Sequence, residues 1–140
     1  MSRRRAREHV FTLLFQMTFV SQEEFQEKID LFFKYNNIKE EDKQYIKEEV
    51  RGVLSKLDTI DELLSQHSKK WKIDRMSRVD LSILRLAVFE IIYRDDIPNS
   101  VAINEAVELA KKYSGDQSPS FVNGILGSIS SSLGEVNDDE

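Results

Sequence analysis

Residues 77–93 have the sequence SRVDLSILRLAVFEIIY, and this stretch decides the fold class. Its apolar residues recur at helical spacing and cover much of the helical circumference, a pattern typical of a helix that is buried on most sides. Ser77 occupies the N-cap position, and the acidic Asp80 follows three residues later, which is a helix-start signature. The stretch predicts a central, mostly buried helix that ends at about Tyr93.

Helical periodicity continues on both sides of this stretch. Apolar residues spaced by three and four predict further helices at about residues 3–18, 21–37, 40–68, 100–113 and 118–134. We expect side-chain caps at Ser2, Ser21, Ser100 and Ser118. Residues 40–68 fit either one long helix or two helices interrupted near Asp58, which would cap the second. No segment shows the alternation of a strand, so we predict an all-α bundle of six or seven helices.

The irregular, basic segment 68–76 around Trp71 is the expected boundary between two halves of the chain. We predict one all-α domain over residues 1–134, with sub-bundles at about 1–68 and 77–134. The last helix should end at Gly134, which leaves residues 135–140 as an acidic, flexible tail. Gly124 and Gly127 lie inside an apolar helix, where they are expected to permit close helix packing.

The composition excludes several functional classes. The chain of 140 residues has no cysteine, 2 histidines, 5 glycines and 2 prolines. Disulfides, thiolate metal sites and thiol nucleophiles are therefore impossible, and turn-forming residues are too few for an all-β fold. His9 has no acidic ligand at metal spacing, and Gly124-x-x-Gly127 lacks the lysine of a P-loop. We expect no catalysis, no metal and no cofactor.

The formal net charge of −5 is unevenly distributed along the chain. The first ten residues carry a local +3 and the last six a local −4. Screening at physiological salt acts over roughly 8 Å, so a basic end can engage phosphates while the acidic remainder lies beyond reach. The local charge of each segment is therefore a better guide to binding partners than the net charge of the chain.

The basic start followed by apolar residues 10–20 superficially resembles a secretory signal. Thr12, Gln16 and Thr18 interrupt that segment, and no small-x-small cleavage site follows it. No other run approaches the roughly 18 uncharged residues of a membrane span. We therefore expect a cytoplasmic protein without membrane contact.

The first predicted helix combines arginines with aromatic residues. Arg4, Phe11 and Phe15 follow one flank, with Arg7 between that flank and the core. Guanidinium groups bind phosphates and aromatic rings stack on unpaired bases, so this combination is typical of single-stranded RNA binding. Two alternatives remain open: both rings belong to the core and the arginines only solubilise the end, or the helix lies on a membrane surface.

A second group lies where two predicted helices meet. Lys111, Lys112 and Tyr113 precede a polar loop, and Phe121 lies in the helix start that follows it. Backbone N–H groups at a helix start bind phosphates. The alternative is a capped helical hairpin with both aromatic residues packed inside.

Four segments of the chain resemble the NusB family of bacterial transcription antitermination factors. They are RRRARE at 3–8, VDLSILRLA at 79–87, VAINEAVELAK at 101–111 and FVNGIL at 121–126. The resemblance covers essentially the whole chain, and residues 101–126 are its most specific part. It implies an all-helical NusB-like fold in two halves.

The resemblance also implies a function. Such a protein pairs with NusE, a small-subunit ribosomal protein, and the heterodimer binds the boxA element of nascent RNA. The complex helps RNA polymerase read through terminators, notably in ribosomal RNA operons. Asp80 and Leu84 fall at positions that imply NusE contact. The expected RNA-binding residues are Arg3, Arg4, Arg5, Arg7, Phe15, Lys111, Lys112, Tyr113, Phe121 and Asn123.

Two other functions compete with this one. The helical domain is similar to the N-terminal part of certain RNA cytosine-5 methyltransferases, but those enzymes need a catalytic cysteine and a separate cofactor domain, and this chain has neither. A helical adaptor that binds only protein would leave the arginines as a solvated end, and it remains the alternative.

Overall fold

The computed structural model describes residues 1–68 and 72–138, with side chains described as far as residue 133. All regular structure in these ranges is helical, which confirms the all-α prediction. Short 3-10 turns lie at Gln22–Glu24 and Ile73–Arg75. The α-helices are α1 (Arg3–Met17), α2 (Phe25–Tyr35), α3 (Glu40–Ser55), α4 (Leu57–His67), α5 (Arg78–Tyr93), α6 (Asn99–Tyr113) and α7 (Ser118–Asp138). None of these described helices has the length and apolar character needed to cross a membrane.

The chain divides into two compact units. The first, Met1–Ser55, contains α1 to α3, and the second begins at Lys56 and contains α4 to α7. The sequence predicted a division between residues 68 and 77, around Trp71, a residue that lies outside the described ranges. Helix α4 belongs to the second unit because it packs against α5 and α7, with Ile60 and Leu64 fully buried.

Helix α1 forms the interior of the first unit with α2 and α3. Its core-facing stripe is the predicted one, with Val10 and Leu13 fully buried. Ile29 of α2 and Ile46 and Val50 of α3 are buried to the same degree. Their apolar side chains supply the main favourable term in folding, because burial removes each from water.

Helix α5 is the central element of the second unit, as its apolar circumference predicts. It packs against α4, α6 and α7, and its residues 81–84 and 86–91 are all buried. Arg85 instead forms a bidentate ion pair with Asp61 of α4, with Nε–Oδ1 and Nη2–Oδ2 distances of 2.9 and 2.8 Å. This pair fixes α4 to α5 beside the apolar contacts.

Three helices begin with the predicted serine signals. Ser2 Oγ accepts a hydrogen bond from the Arg5 N–H at 3.1 Å, and Ser77 Oγ accepts one from the Asp80 N–H at 3.0 Å. The Ser21 N–H donates to Glu24 Oε2 at 3.1 Å, although a 3-10 turn precedes α2 there. These contacts satisfy donors that the first helical turn leaves without partners.

The other three predicted caps are wrong. Residues 40–68 form two helices, but the break is at Lys56, so Asp58 lies inside the first turn of α4. Pro98, in an extended conformation, occupies the N-cap position of α6 and places Ser100 within the helix. Ser118 is already helical in α7, and its hydroxyl donates to Asp80 instead of capping.

Helix α7 also differs from the prediction at its other end. It continues past Gly134 to Asp138, because a glycine ends a helix by taking a left-handed conformation and no described glycine has a positive φ. The acidic segment predicted as a flexible tail is therefore helical as far as Asp138, and residues 139–140 lie outside the described ranges. A Cβ placed on Gly124 or Gly127 would meet nothing within 4 Å, so the predicted close packing is wrong.

Candidate nucleic-acid interface

The first turn of α1 presents an exposed arginine cluster, formed by Arg3, Arg4 and Arg5. The guanidinium carbon of Arg3 lies 3.7 Å from the centroid of the Tyr45 ring, a cation–π contact with α3. The N-terminal amine is 3.3 Å from Asp42 Oδ2, also on α3. These two contacts fix the arginine cluster on the first unit, so its charges are presented from an ordered helix start.

Arg7 does not belong to this cluster, although the sequence placed it among the RNA contacts. Its residue is only 5% exposed. Arg7 precedes Val10, Phe11 and Leu14 by three, four and seven residues, the spacing of the core-facing stripe. Because its guanidinium is buried, we leave Arg7 out of the proposed interface.

The aromatic residues of α1 form a row along one flank. Phe11 is buried and stacks on Phe15, with ring centroids 6.4 Å apart and an interplanar angle of 28°. Phe15 is half-buried and meets the edge of Phe19 at 5.2 Å. Phe19 is 59% exposed and was missed from the sequence, although its position four residues after Phe15 continues the row. The accessible ring surface therefore lies on Phe15 and Phe19.

His9 adds no charge to the arginine cluster near neutral pH. Its ring meets the edge of Phe32 at 5.4 Å. Burial lowers the pKa of His9 below its ordinary value of 6.5, and the positive charge of Arg5 lowers it further, while Glu8 acts in the opposite direction. The imidazole is therefore neutral at pH 7.

The second unit carries exposed lysines at the end of α6. Lys111 Nζ lies 3.4 Å from Glu108 Oε1, an exposed pair of little energetic weight. Lys112 Nζ is 5.3 Å from the centroid of the Tyr113 ring, which is 40% exposed. Cations suit a helix C-terminus, and here they accompany an accessible aromatic ring. The sequence predicted this combination.

A cleft of about 630 Å³ lies at the start of α7. The half-buried Phe121 lines it together with Arg75, Gln117 and Ser120, whereas Asn123 is exposed on α7. Arg75 lies in the 3-10 turn before α5, so its place on the same cleft as Phe121 depends on tertiary packing that no local pattern predicts. An aromatic ring, a guanidinium and polar groups thus line one space, together with the carboxylates of Asp80 and Asp116.

The helix start beside this cleft presents fewer free N–H groups than the sequence suggested. The Ser118 N–H donates to the Gly115 carbonyl at 3.1 Å, and Pro119 has no N–H. The Phe121 N–H donates to the Gln117 carbonyl at 3.2 Å. The groups of this unit whose chemistry suits phosphate are therefore mainly lysine and arginine side chains.

The two residues predicted to contact NusE lie in different surroundings. The half-buried Asp80 turns its carboxylate toward the loop between α6 and α7, where Oδ1 accepts from Ser114 Oγ at 2.8 Å and Oδ2 from Ser118 Oγ at 3.0 Å. Leu84 is fully buried because it lies on the apolar interior of α5. The prediction that Leu84 contacts NusE directly at the surface is therefore wrong.

Comparison with known proteins identifies the family. The model of the NusB family matches residues 4–131. The chain belongs to the NusB family. Transcription antitermination protein NusB of Acetivibrio thermocellus is 46% identical to this chain over 129 residues, which covers 92% of this chain and 88% of that protein.

Solved NusB structures have the same fold. The structure of T. maritima NusB matches with a TM-score of 0.84 at 38% identity, and the match covers 94% of this chain and 92% of that one. A crystal structure of the antitermination factors NusB and NusE in complex with double-stranded RNA matches with a TM-score of 0.82 at 29% identity, and covers 94% and 99% of the two chains. The NusB-like fold is thereby confirmed.

Proposed function

We propose that this NusB-family chain pairs with NusE, binds boxA-type RNA in nascent transcripts and helps RNA polymerase to read through terminators, notably in ribosomal RNA operons. The observation that carries the proposal is the likeness to a protein chain in a structure of NusB and NusE with RNA, which extends over 94% of this chain. A family of transcription antitermination proteins supplies the biological setting.

The RNA contacts are assigned separately in each unit. In the first unit, the arginine cluster supplies phosphate contacts and Phe15 a partly exposed ring. In the second, Lys111 and Lys112 supply cations, and Tyr113, Phe121 and Asn123 supply rings and a polar side chain. Base stacking tolerates many sequences, so preference for boxA would come from polar groups and from NusE.

The proposed partner suits the charge of this chain. Beyond its basic start the chain is acidic, and a ribosomal protein that binds RNA is basic, so the two attract each other. We retain Asp80 as a proposed NusE contact and omit the buried Leu84. An Asp80→Lys pull-down alone is ambiguous, because lysine also removes the acceptor of two serine hydroxyls.

The decisive experiment compares a boxA-type oligonucleotide with a scrambled RNA of the same length and composition, each with and without NusE. Single-stranded and double-stranded forms of both are included, because the related complex holds double-stranded RNA. We expect tighter binding to the boxA sequence when NusE is present.

Equal affinity for boxA and scrambled RNA in the presence of NusE would contradict the proposal. The adaptor alternative makes a different prediction: NusE binds, but no RNA binds in any combination. Native mass spectrometry of the same mixtures separates the two, since it counts both NusE and RNA in each complex.

A further inference from the structure

The loop between α6 and α7 is held at both ends by one carboxylate. Ser114 follows α6 and Ser118 begins α7, and each hydroxyl donates to a different oxygen of Asp80, at 2.8 and 3.0 Å. The two hydroxyl oxygens are themselves 2.8 Å apart. The three side chains, which we call the serine–aspartate clamp, are all half-buried.

Two backbone hydrogen bonds also constrain the loop, from the Ser118 N–H to the Gly115 carbonyl and from the Phe121 N–H to the Gln117 carbonyl, but its central residues are open to solvent. Gly115, Asp116 and Gln117 are exposed, and a Cβ on Gly115 would meet nothing within 4 Å. The Ser114 N–H donates to the Ala110 carbonyl and continues the helical pattern of α6. A short polar segment with a glycine has many alternative conformations, and fixing each residue costs about 1–2 kcal/mol of backbone entropy.

Asp80 is itself well fixed. It lies in the first turn of α5, the most buried helix of this unit, and its N–H donates to the Ser77 cap at 3.0 Å. Asp80, Ser77, Ser118 and Phe121 all line the same cleft. The clamp therefore connects a rigid helix to the segment that carries the proposed RNA contacts of the second unit.

We propose that Asp80 is a positioning residue for RNA binding, which acts through Ser114 and Ser118 to hold the α6–α7 loop in its RNA-receiving conformation. This inference rests on the proposed function, since it concerns the same RNA site. Without the clamp, RNA would have to order the loop on binding, and affinity would fall by the cost of that ordering.

The direction in which Asp80→Ala changes RNA affinity distinguishes a positioning role of Asp80 from a purely electrostatic one. Removal of a carboxylate near an RNA site reduces repulsion of phosphates, so a purely electrostatic role predicts that Asp80→Ala strengthens RNA binding. The positioning role predicts that the same variant weakens it. Asp80→Asn removes the charge but keeps one acceptor and gains a donor, so it can still bond both serine hydroxyls.

The experiment measures the affinity of the full chain for a single-stranded boxA-type oligonucleotide at fixed salt. We expect Asp80→Ala and the double variant Ser114→Ala/Ser118→Ala each to bind about fivefold more weakly than the wild type. Asp80→Asn and Ser114→Thr/Ser118→Thr, which preserve the contacts, should bind within about twofold of it. Combining Asp80→Ala with the serine double variant should cause no further loss, because both remove the same contacts.

Two further variants and a check of folding keep the outcomes distinct. Asp95→Ala, an exposed carboxylate outside the clamp, controls for the change in charge, and circular dichroism checks that each variant remains folded. Lys111→Ala/Lys112→Ala tests the RNA site itself. If the lysine variant binds RNA as tightly as the wild type, the proposed site in this unit is wrong. If that variant weakens binding but the Asp80→Ala and serine variants do not, only the positioning role is overturned.

Discussion

The arginines at the start of α1 show how surroundings decide what one residue type does. Arg3 is exposed and lies over the Tyr45 ring, whereas Arg5 is exposed with only a loose 3.7 Å contact to Glu8. Arg7, two residues further along, is buried. A guanidinium that stacks on a ring or pairs loosely at the surface keeps donors for phosphate, while a buried one serves the fold.

His9 predicts a loss of stability in mild acid. Its pKa is lowered in the folded protein, first by burial and then by Arg5, so below pH 6.5 the unfolded chain binds more protons than the folded one. The free energy of unfolding therefore falls as the pH decreases from 6.5 until the folded imidazole is also protonated. His9→Gln should remove this part of the decrease.

Urea denaturation of both proteins between pH 8 and pH 5.5 checks the prediction. Near pH 8 the two stability curves should run parallel, because His9 is almost entirely neutral in both states. Curves that remain parallel through pH 5.5 would show that His9 does not contribute.

The predicted site residues were recoverable from the sequence only where the signal is local. The spacing of Arg7 from Val10, Phe11 and Leu14 already indicated burial, and the spacing of Phe19 from Phe15 already indicated that the aromatic row continues. The contact of Asp80 with Ser114 and Ser118 spans 34 and 38 residues of chain, so no periodic pattern contains it. Leu84 was assigned to NusE contact through the family resemblance, although the apolar pattern of its helix already indicated burial.

Helix α4 is attached to α5 by a bidentate ion pair. A second bidentate pair elsewhere in the same unit provides a matched control for its substitution. Arg85 and Asp61 are 17% and 28% exposed and come from different helices. Arg94 and Asp96 form the same bidentate geometry, but they are neighbours in a turn and Asp96 is 66% exposed. Lysine cannot reproduce a bidentate contact.

We expect Arg85→Lys to lower the free energy of unfolding by about 1 kcal/mol, because a partly buried pair between two helices loses one of its hydrogen bonds. Arg94→Lys should change it by less than about 0.5 kcal/mol, since the pair is local and solvated. Thermal denaturation measures both variants. Equal losses would show that the ion pair does not specifically secure α4.

The glycines of α7 predict a gain in stability. Gly127 is inside the helix, and a Cβ there meets nothing within 4 Å. Gly127→Ala should raise the free energy of unfolding by about 0.5–1 kcal/mol, because alanine loses less backbone entropy in a helix. Calorimetry checks this value. A lower melting temperature would mean that a neighbour occupies the space beside this glycine.

Most helices could be predicted from the sequence, whereas their ends could not always be. Apolar period and composition are averaged over many residues, so they placed both ends of α1, α5 and α6 within two residues of the observed ends. A cap depends on the backbone conformation of one residue. Pro98 takes that position ahead of Ser100, and Lys56 takes it ahead of Asp58, which local preference does not reveal. The predicted helix end at Gly134 was wrong for the same reason, because a helix end also depends on the backbone conformation of one residue.

The whole molecule combines a basic start with an acidic remainder. The net charge of −5 would by itself indicate repulsion of RNA, yet the exposed arginine cluster lies together in the first turn of α1. Each unit also carries its own group of cations and aromatic rings. The sequence predicted both groups. Which of their residues are exposed enough to contact RNA depends on tertiary packing, and the sequence pattern does not reveal that packing.

The central claim is that the arginine cluster binds RNA phosphates, and the salt dependence of RNA affinity tests it most directly. Each phosphate neutralised on a single strand contributes about −0.7 to the slope of log affinity against log salt. Arg4→Glu/Arg5→Glu should therefore reduce the magnitude of the slope by about 1.4. Lys34→Glu/Lys39→Glu, which changes the net charge equally at exposed positions outside both groups, should leave the slope unchanged. An unaltered slope in the arginine variant, or equal changes in both variants, would contradict the account.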